Sequence, residues 1–101
     1  MTAPEDAAAG DRIALASILD LRAAAPLADA FIARRGQNVT VDASGVERVG
    51  GQCAQVLVSA AKTWTADGAT LTVDAPSAAF SENLETMGLS LEVIQTGTTP
   101  A

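Results

Sequence analysis

The sequence predicts one α/β domain, in which strands and helices alternate along 101 residues. Short β-branched segments such as 39–42 have the composition of buried strands. Between them, apolar residues recur at the spacing of amphipathic helices, most clearly over 51–66. Turn signals such as Asp67-Gly68 separate the two kinds of segment. This alternation is typical of parallel strands joined by helical crossovers, in the order β, α, β, α, β, α.

Four segments are predicted as strands from their length and composition. Residues 13–19 form an opening strand or strand pair, and 39–42 form a buried strand. Residues 69–73 alternate between apolar and polar side chains, and 91–94 leave room for a last short strand.

The first predicted helix lies within 21–35. Its interior contains Pro26, which predicts that regular helix begins only near residue 25, because proline is tolerated in a first turn and disrupts a helix interior. Gly36 is its predicted C-terminal cap.

The second and third helices have clearer signals. The third starts at residue 76 or 77 and ends at Gly88 in a Schellman motif, in which Leu89 packs back on Leu84. The second has one apolar stripe that we expect to be buried, with Trp64 in the core. The stripe contains Cys53, Val56, Leu57, Ala60, Ala61 and Trp64.

The two ends of the chain are predicted to be disordered tails, over 1–10 and 96–101, with the folded domain spanning 11–95. The first tail lacks the basic and apolar regions of a signal peptide. No stretch approaches the ~20 apolar residues of a membrane helix. We therefore expect a cytoplasmic protein without direct membrane insertion.

Composition argues against catalysis and against nucleic-acid binding. The chain has no histidine and one cysteine, which excludes the usual zinc sites and the Ser-His and Cys-His nucleophile pairs. Twelve acidic and six basic residues give a net charge of −6, which repels phosphate backbones. We expect no enzyme activity, no metal, no cofactor and no small-molecule substrate.

The remaining candidates for chemistry each have a structural explanation. Cys53 follows a helix start, where the dipole would lower the thiol pKa, so a redox sensor or enzyme is one alternative. Its place on the apolar stripe favours a buried filler instead. Asp42 and Asp74 each end a strand, and capping of the following loop is the expected role, with no second acid or base predicted beside either.

A more specific pattern lies at 42–49 (Asp-Ala-Ser-Gly-Val-Glu-Arg-Val), between a strand and a small-residue turn into an amphipathic helix. This pattern resembles the central motif of the STAS domain family, and the likeness extends over roughly 12–94. The family includes anti-sigma-factor antagonists, the cytoplasmic ends of sulfate transporters and a small component of bacterial lipid-transport ATPases. The resemblance implies a STAS-like mixed or parallel sheet covered by about three helices.

One position departs from the antagonists of anti-sigma kinases. Those proteins carry a phosphorylatable serine in the turn after the motif, and the matching residue here is Gln52. Glutamine has no hydroxyl group and lacks the ~2 negative charges of a phosphoserine. The resemblance therefore implies an antagonist-like protein without the phosphorylation switch. We expect Ser44 to be structural, with its hydroxyl bonded to backbone in the loop.

A narrower resemblance fits this departure. Four segments are similar to small STAS proteins of bacterial chemotaxis gene clusters, namely 19–27, 49–57 with its Gly50-Gly51-Gln52-Cys53 turn, 59–60 and Trp64-x-x-Asp67-Gly68. Proteins of that kind act on the chemotaxis histidine kinase. The resemblance implies an accessory protein that binds this kinase and modulates phosphate flow to or from a response regulator.

Other STAS roles stay open. The main alternative is the STAS subunit of a bacterial lipid-transport ATP-binding-cassette complex, in which the glycine turn would be a packing variant. In both cases the family presents the start and outer face of the second helix to its partner. Val58 is predicted to be exposed within that surface. The surface contains Gly50, Gly51, Gln52, Gln55, Val58, Ser59 and Lys62.

Overall fold

Strands and helices alternate in the computed structural model of the chain, which describes residues 11–95. The predicted α/β class is confirmed, while the predicted tails at 1–10 and 96–101 lie outside the described residues. The elements are β1 (Asp11–Ala14), β2 (Ile18–Leu19), α1 (Leu21–Ile32), β3 (Val39–Asp42), β4 (Arg48–Val49), α2 (Gly51–Asp67), β5 (Leu71–Asp74), α3 (Ala78–Thr86) and a 3₁₀ helix (Leu91–Ile94).

Two parallel sheets organise these elements. One has the strand order β1-β3-β5, and the other pairs β2 with β4. The predicted opening segment is thus divided between the two sheets. Side chains alternate across the first sheet, so that Ile13, Val41 and Val73 are buried while Arg12 and Asp74 are exposed. The helices therefore cover one face of this sheet, and its polar residues lie on the other.

Helix α1 begins four residues earlier than predicted. The prediction near residue 25 was wrong, because Asp20 caps the helix through a side-chain oxygen that accepts from the backbone N–H of Arg22 at 3.1 Å. The helix then continues through Pro26. Proline removes one helical hydrogen bond there, and the cap and the packing of the buried Leu27 hold the helix despite that loss.

The end of α1 also differs from the prediction. The helix ends at Ile32 with Ala33 as its C-cap, so Gly36 does not cap it. Gly36 has a φ of +87° and serves a separate turn before β3.

The other two helices end as predicted. In α2, Gly68 is left-handed with a φ of +72°, and the N–H of Ala69 donates to the carbonyl oxygen of Trp64 at 3.0 Å. In α3, the N–H of Leu89 donates to the carbonyl oxygen of Leu84 at 2.9 Å, one residue after the left-handed Gly88. Both are Schellman motifs.

The predicted last strand at 91–94 is wrong, because these residues form a 3₁₀ helix. With three residues per turn, Leu91 and Ile94 lie on one side, and both pack against the core. The side chain of Gln95 accepts a hydrogen bond from the backbone N–H of Val73 in β5 at 2.8 Å. The side chain of Gln95 thus takes the place of a backbone acceptor that a neighbouring strand would provide to β5.

Candidate partner-binding surface

The start of α2 is positioned by the small sheet. Ile18 pairs with Arg48 and Leu19 with Val49, so the helices that follow β2 and β4 begin side by side. The N–H of Gly50 donates to the carbonyl oxygen of Leu19 at 2.8 Å. A Cβ atom on Gly50 would lie 3.3 Å from that same oxygen, which is a tight contact. The absence of a side chain on Gly50 therefore lets the two helix starts pack closely.

Gly51 has a different position. No atom lies within 4 Å of where its Cβ would be, its φ is not in the left-handed region, and the residue is exposed. Gly51 is the first residue of α2, where glycine is less costly than in a helix interior, and neither crowding nor backbone conformation calls for it there. The fold thus gives no reason for glycine at position 51.

Most of the predicted surface is exposed as expected. Gln52, Gln55, Ser59 and Lys62 lie along the outer side of α2, and the structure places them together on one helix face that begins at Gly51. Lys62 has no ion pair within residues 11–95. Their role in binding stays a prediction.

The prediction that Val58 is exposed is wrong. It is half-buried and packs against the core, on the side of α2 that carries the buried Ala54 and Ala61. At about 100° per residue, these three positions flank the main stripe on one side, and the half-buried Val56 flanks it on the other. The buried sector of α2 is wider than the sequence pattern indicated, because both α1 and the 3₁₀ helix contact α2.

Cys53 is fully buried, and its Sγ donates to the carbonyl oxygen of Asp20 at 3.4 Å. Burial raises the pKa of this thiol above its ordinary value of 9.0, and the nearby Asp20 carboxylate adds to the rise. The expected lowering by the helix dipole is therefore outweighed. A buried thiol that holds its proton is a poor nucleophile, so the arrangement gives no support to the redox alternative.

A carboxylate pair was missed by the sequence reasoning. Asp42 and Asp74 are register partners at the ends of β3 and β5. The guanidinium of Arg12 on β1 lies 2.8 Å from a carboxylate oxygen of Asp74 and 3.7 Å from one of Asp42. The expectation that neither carboxylate has an acidic neighbour was wrong. The available signal was that both strands end in aspartate.

The same cluster includes Ser44. Its backbone N–H and its hydroxyl donate to one oxygen of Asp42 at 3.0 and 2.7 Å, and these two bonds lower the pKa of that carboxyl group. The structural role predicted for Ser44 is supported, although its hydroxyl bonds to a side chain rather than to backbone. Asp74 is paired with Arg12, and Asp42 is bonded to Ser44 in the following loop. These contacts hold the ends of the three strands together.

Two further observations concern residues 11–95. In this range no helix has the length and apolar character needed to cross a membrane. The same residues contain no group of three or more acidic, cysteine or histidine side chains arranged to hold a metal ion.

The fold is a small α/β domain with parallel strands and three helices, and one face of α2 is exposed. The family model described as the Mlab, STAS domain matches residues 3–95, so the chain belongs to the STAS domain family. STAS domains are generally non-catalytic modules for regulation and protein binding. No curated protein and no solved structure matches the chain.

Proposed function

We propose that this STAS module is a cytoplasmic chemotaxis accessory protein. In this proposal it binds the chemotaxis histidine kinase through the start and outer face of α2. Binding modulates phosphate flow to or from a response regulator. The narrower resemblance of the turn at 50–53 to chemotaxis STAS proteins supports this choice of partner.

Gly51 is the observation that carries the proposal. The fold neither crowds this exposed glycine nor requires an unusual backbone conformation there, so packing within the domain does not account for the missing side chain. A partner backbone that approaches α2 closely would require the missing side chain. Glycine at Gly51 therefore supports contact with a partner, whereas Gly50 is explained by packing alone.

Gln52 supports regulation by occupancy rather than by phosphorylation. Its exposed amide can donate and accept hydrogen bonds at an interface, and it has no hydroxyl to take a phosphoryl group. Lys62 adds an exposed cation to an acidic protein of charge −6, which would steer the encounter toward an acidic patch of the partner.

The test uses charge changes on exposed residues of the surface. We expect Gln55→Glu combined with Lys62→Glu to weaken kinase binding by at least ~2 kcal/mol, because both side chains would face the partner. Calorimetric titration measures the affinity, and circular dichroism checks the fold. Thr86→Glu adds a charge to the exposed side of α3 and should leave binding unchanged. Val58→Asp is not suitable, because it would place a charge against the core.

A second variant tests the steric argument. Gly51→Leu projects a side chain into open space, so the fold should persist while the partner is held away. Incubation with ATP and the kinase should leave the mass of the protein unchanged, since Gln52 cannot be phosphorylated. Unchanged affinity in both folded surface variants would exclude this face as the interface. A kinase that fails to bind the native protein would refute the proposed partner.

A second candidate is the STAS subunit of a bacterial lipid-transport ATP-binding-cassette complex. The family match favours it, because the description names the Mlab STAS domain and contains no chemotaxis term. The partner would then be a nucleotide-binding subunit. The same titration with that subunit in place of the kinase separates the two candidates.

A further inference from the structure

The outer side of α1 carries an apolar stripe that the core does not use. The stripe consists of Leu21, Ala25, Ala28 and Ile32. At 100° per residue these positions lie within about 60° of arc, on a different side of the helix from the buried Leu27. Leu21 and Ile32 are 72% and 65% exposed, the highest values among the large apolar side chains of residues 11–95. A surface helix needs one apolar side to fold, so this second side requires another explanation.

The stripe is symmetric about its own midpoint. Its two ends are the large residues Leu21 and Ile32, and its two inner positions are both alanine. The order large, small, small, large is therefore the same when α1 is read in either direction. A second α1 that runs antiparallel would set Leu21 of each copy against Ile32 of the other, and Ala25 against Ala28. Contact between two identical surfaces requires such a self-complementary pattern, whereas contact with an unrelated helix does not.

The charges of α1 have the same self-complementary arrangement. Arg22 and Asp29 are the charged residues of 21–32, and both are exposed on one flank of the stripe. In an antiparallel pair related by a two-fold axis, this flank faces the same flank of the second copy. Arg22 then lies opposite position 31 of the copy, which is two residues, or about 3 Å along the axis, from Asp29. Each end of the contact thus brings together one base and one acid.

Both charged groups are available for this contact. Asp29 has no ion pair within residues 11–95. Arg22 lies 3.2 Å from Asp20 of its own chain, and a guanidinium has five N–H donors, so it can bind a second carboxylate. With one base and one acid, 21–32 is neutral in a chain of charge −6. Two copies therefore meet at α1 without a local excess of negative charge.

We propose that the protein forms a two-fold symmetric dimer in which α1 packs antiparallel on α1 of a second copy. The alanines at the centre let the two helices approach closely, and the leucine–isoleucine contacts lie at both ends. The inference goes beyond the proposed function and does not rest on the kinase as partner.

The size of the contact determines its strength. Helix α1 has 12 residues and is about 18 Å long. A single pair of such helices buries less than the roughly 1,200–2,000 Å² of a standard interface. We therefore expect a weak dimer, with a dissociation constant on the order of 100 µM.

Sedimentation velocity tests for the dimer. We expect the native chain to change from monomer to dimer between about 5 and 500 µM. Leu21→Glu and Ile32→Glu should each weaken the association at least about tenfold, with the fold intact because both side chains are exposed. Val93→Glu makes the same change at an exposed residue of the 3₁₀ helix, outside the contact, and should leave the dimer unchanged.

Two charge reversals test the antiparallel geometry. Arg22→Glu places an acid opposite Asp29 of the copy, and Asp29→Arg places a base opposite Arg22. Each variant repels itself at both ends of the contact, so each should associate about tenfold more weakly than the native chain. A mixture of the two variants brings opposite charges together again at both ends. The mixture should therefore form a mixed dimer with nearly native affinity, and circular dichroism checks the fold of each variant.

Three outcomes would overturn the inference. One is a native chain that stays monomeric up to about 500 µM, five times the expected dissociation constant, because α1 would then be free to bind a different partner. Another is a dimer that persists in both Leu21→Glu and Ile32→Glu, since the contact would then lie elsewhere. The third is a mixture of the charge-reversed variants that associates no better than either variant alone. Kinase binding is titrated separately with the native chain, so absence of the dimer leaves the proposed function standing.

Discussion

At the residue scale, Trp64 joins α2 to α1 and to the loop before β3. Its ring meets Phe31 edge to face at a centroid distance of 5.7 Å, and its Nε1 donates to the carbonyl oxygen of Gln37 at 2.7 Å. The residue is 1% exposed, which confirms its predicted burial. One side chain thus provides both packing and a buried hydrogen bond.

We expect Trp64→Ala to lower the free energy of unfolding by about 3–5 kcal/mol, because it leaves a large cavity and an unpaired carbonyl oxygen. Urea denaturation followed by circular dichroism measures this loss. Trp64→Phe retains a ring and removes the donor, so its cost should be smaller. A wild-type midpoint for Trp64→Ala would show that the ring does not hold the core together.

Ala75 is a strained residue in the loop after β5. Its φ is +52°, although alanine rarely adopts a left-handed backbone. Hydrogen bonds on both sides hold the loop, from the N–H of Ala43 to the carbonyl of Asp74 and from the N–H of Ser77 to the carbonyl of Ala43. The surrounding contacts therefore impose the conformation.

Ala75→Gly should raise the free energy of unfolding by about 0.5–1 kcal/mol, because glycine accepts this conformation without steric cost. The same substitution at Ala66, an exposed position inside α2, should lower it by about 0.5–1 kcal/mol. Urea midpoints of the two variants decide the matter. Equal losses at both positions would mean that Ala75 carries no strain.

The sequence could predict some residue environments and not others. The burial of Cys53 and Trp64 followed from their place on one helical stripe, which depends on local spacing alone. The pairing of Asp42 with Asp74 depends on the register between strands that are distant in the chain. The half-buried state of Val58 depends on which elements pack against α2. Local periodicity reports neither the register between distant strands nor the neighbours of a helix.

At the element scale, α1 tolerates a proline that a helix interior usually excludes. Pro26 has no N–H, so the carbonyl oxygen of Arg22 lacks its usual helical donor. We expect Pro26→Ala to raise the free energy of unfolding by about 1–2 kcal/mol, since it restores that bond at an exposed position. Thermal unfolding measures the change.

Pro76→Ala is the matched control, because Pro76 is exposed and precedes the helix cap Ser77. Pro76→Ala should leave the melting temperature unchanged or lower it slightly. If Pro26→Ala lowers the melting temperature, the proline must stabilise α1 through its restriction of the unfolded chain.

Helix ends with strong local signals were predictable, and weaker ones were not. The glycines of α2 and α3 fixed their ends, since Gly68 and Gly88 each supply the left-handed residue of a Schellman motif. The start of α1 was harder to predict, because Asp20 indicates a start at residue 21 and Pro26 indicates a start near residue 25. Local sequence rules do not say which of these two signals is stronger. Segment 91–94 has too few residues to separate a strand from a 3₁₀ helix by periodicity.

At the scale of the whole molecule, the ionisable groups limit the pH range of stability. Within residues 11–95, three carboxyl groups have a pKa below the ordinary 3.8, chiefly because Asp20 accepts from Arg22, Asp42 from Ser44 and Asp67 from Arg35. Their contribution is present above about pH 4 and is lost as pH falls through the lowered folded pKa. The raised pKa of Cys53 acts oppositely, so its contribution is lost as pH rises through the folded pKa above 9.0.

We expect the urea midpoint to be level between about pH 5 and 8 and to fall on both sides. Asp67→Asn should lower the midpoint at neutral pH and make its fall in acid less steep, because it removes the bond from Arg35. Asp29→Asn, an exposed acid on α1, is the control. An acid limb with unchanged slope in Asp67→Asn would exclude the Arg35 pair as a source of stability.

The whole fold was more predictable than the binding partner. The α/β class and the STAS family followed from alternating elements and from the motif at 42–49, and both are borne out. Identifying the partner requires the surface of the other protein, which this sequence does not contain. Residues such as Gln55 and Lys62 could therefore be placed on a face from the sequence, while their binding role could not be established.

The strand order β1-β3-β5 creates a delay during synthesis of the chain, because the central strand is made before one of its two partners. The central strand β3 needs β5 on one side, and β5 ends at Asp74, long after β3 ends at Asp42. At translation speeds of about 5–20 residues per second, β3 waits roughly 2–6 seconds for this partner. During that interval its open edge can pair with another nascent chain. The edge of β3 that β5 covers in the folded protein is thus open to other chains until residue 74 has been synthesised.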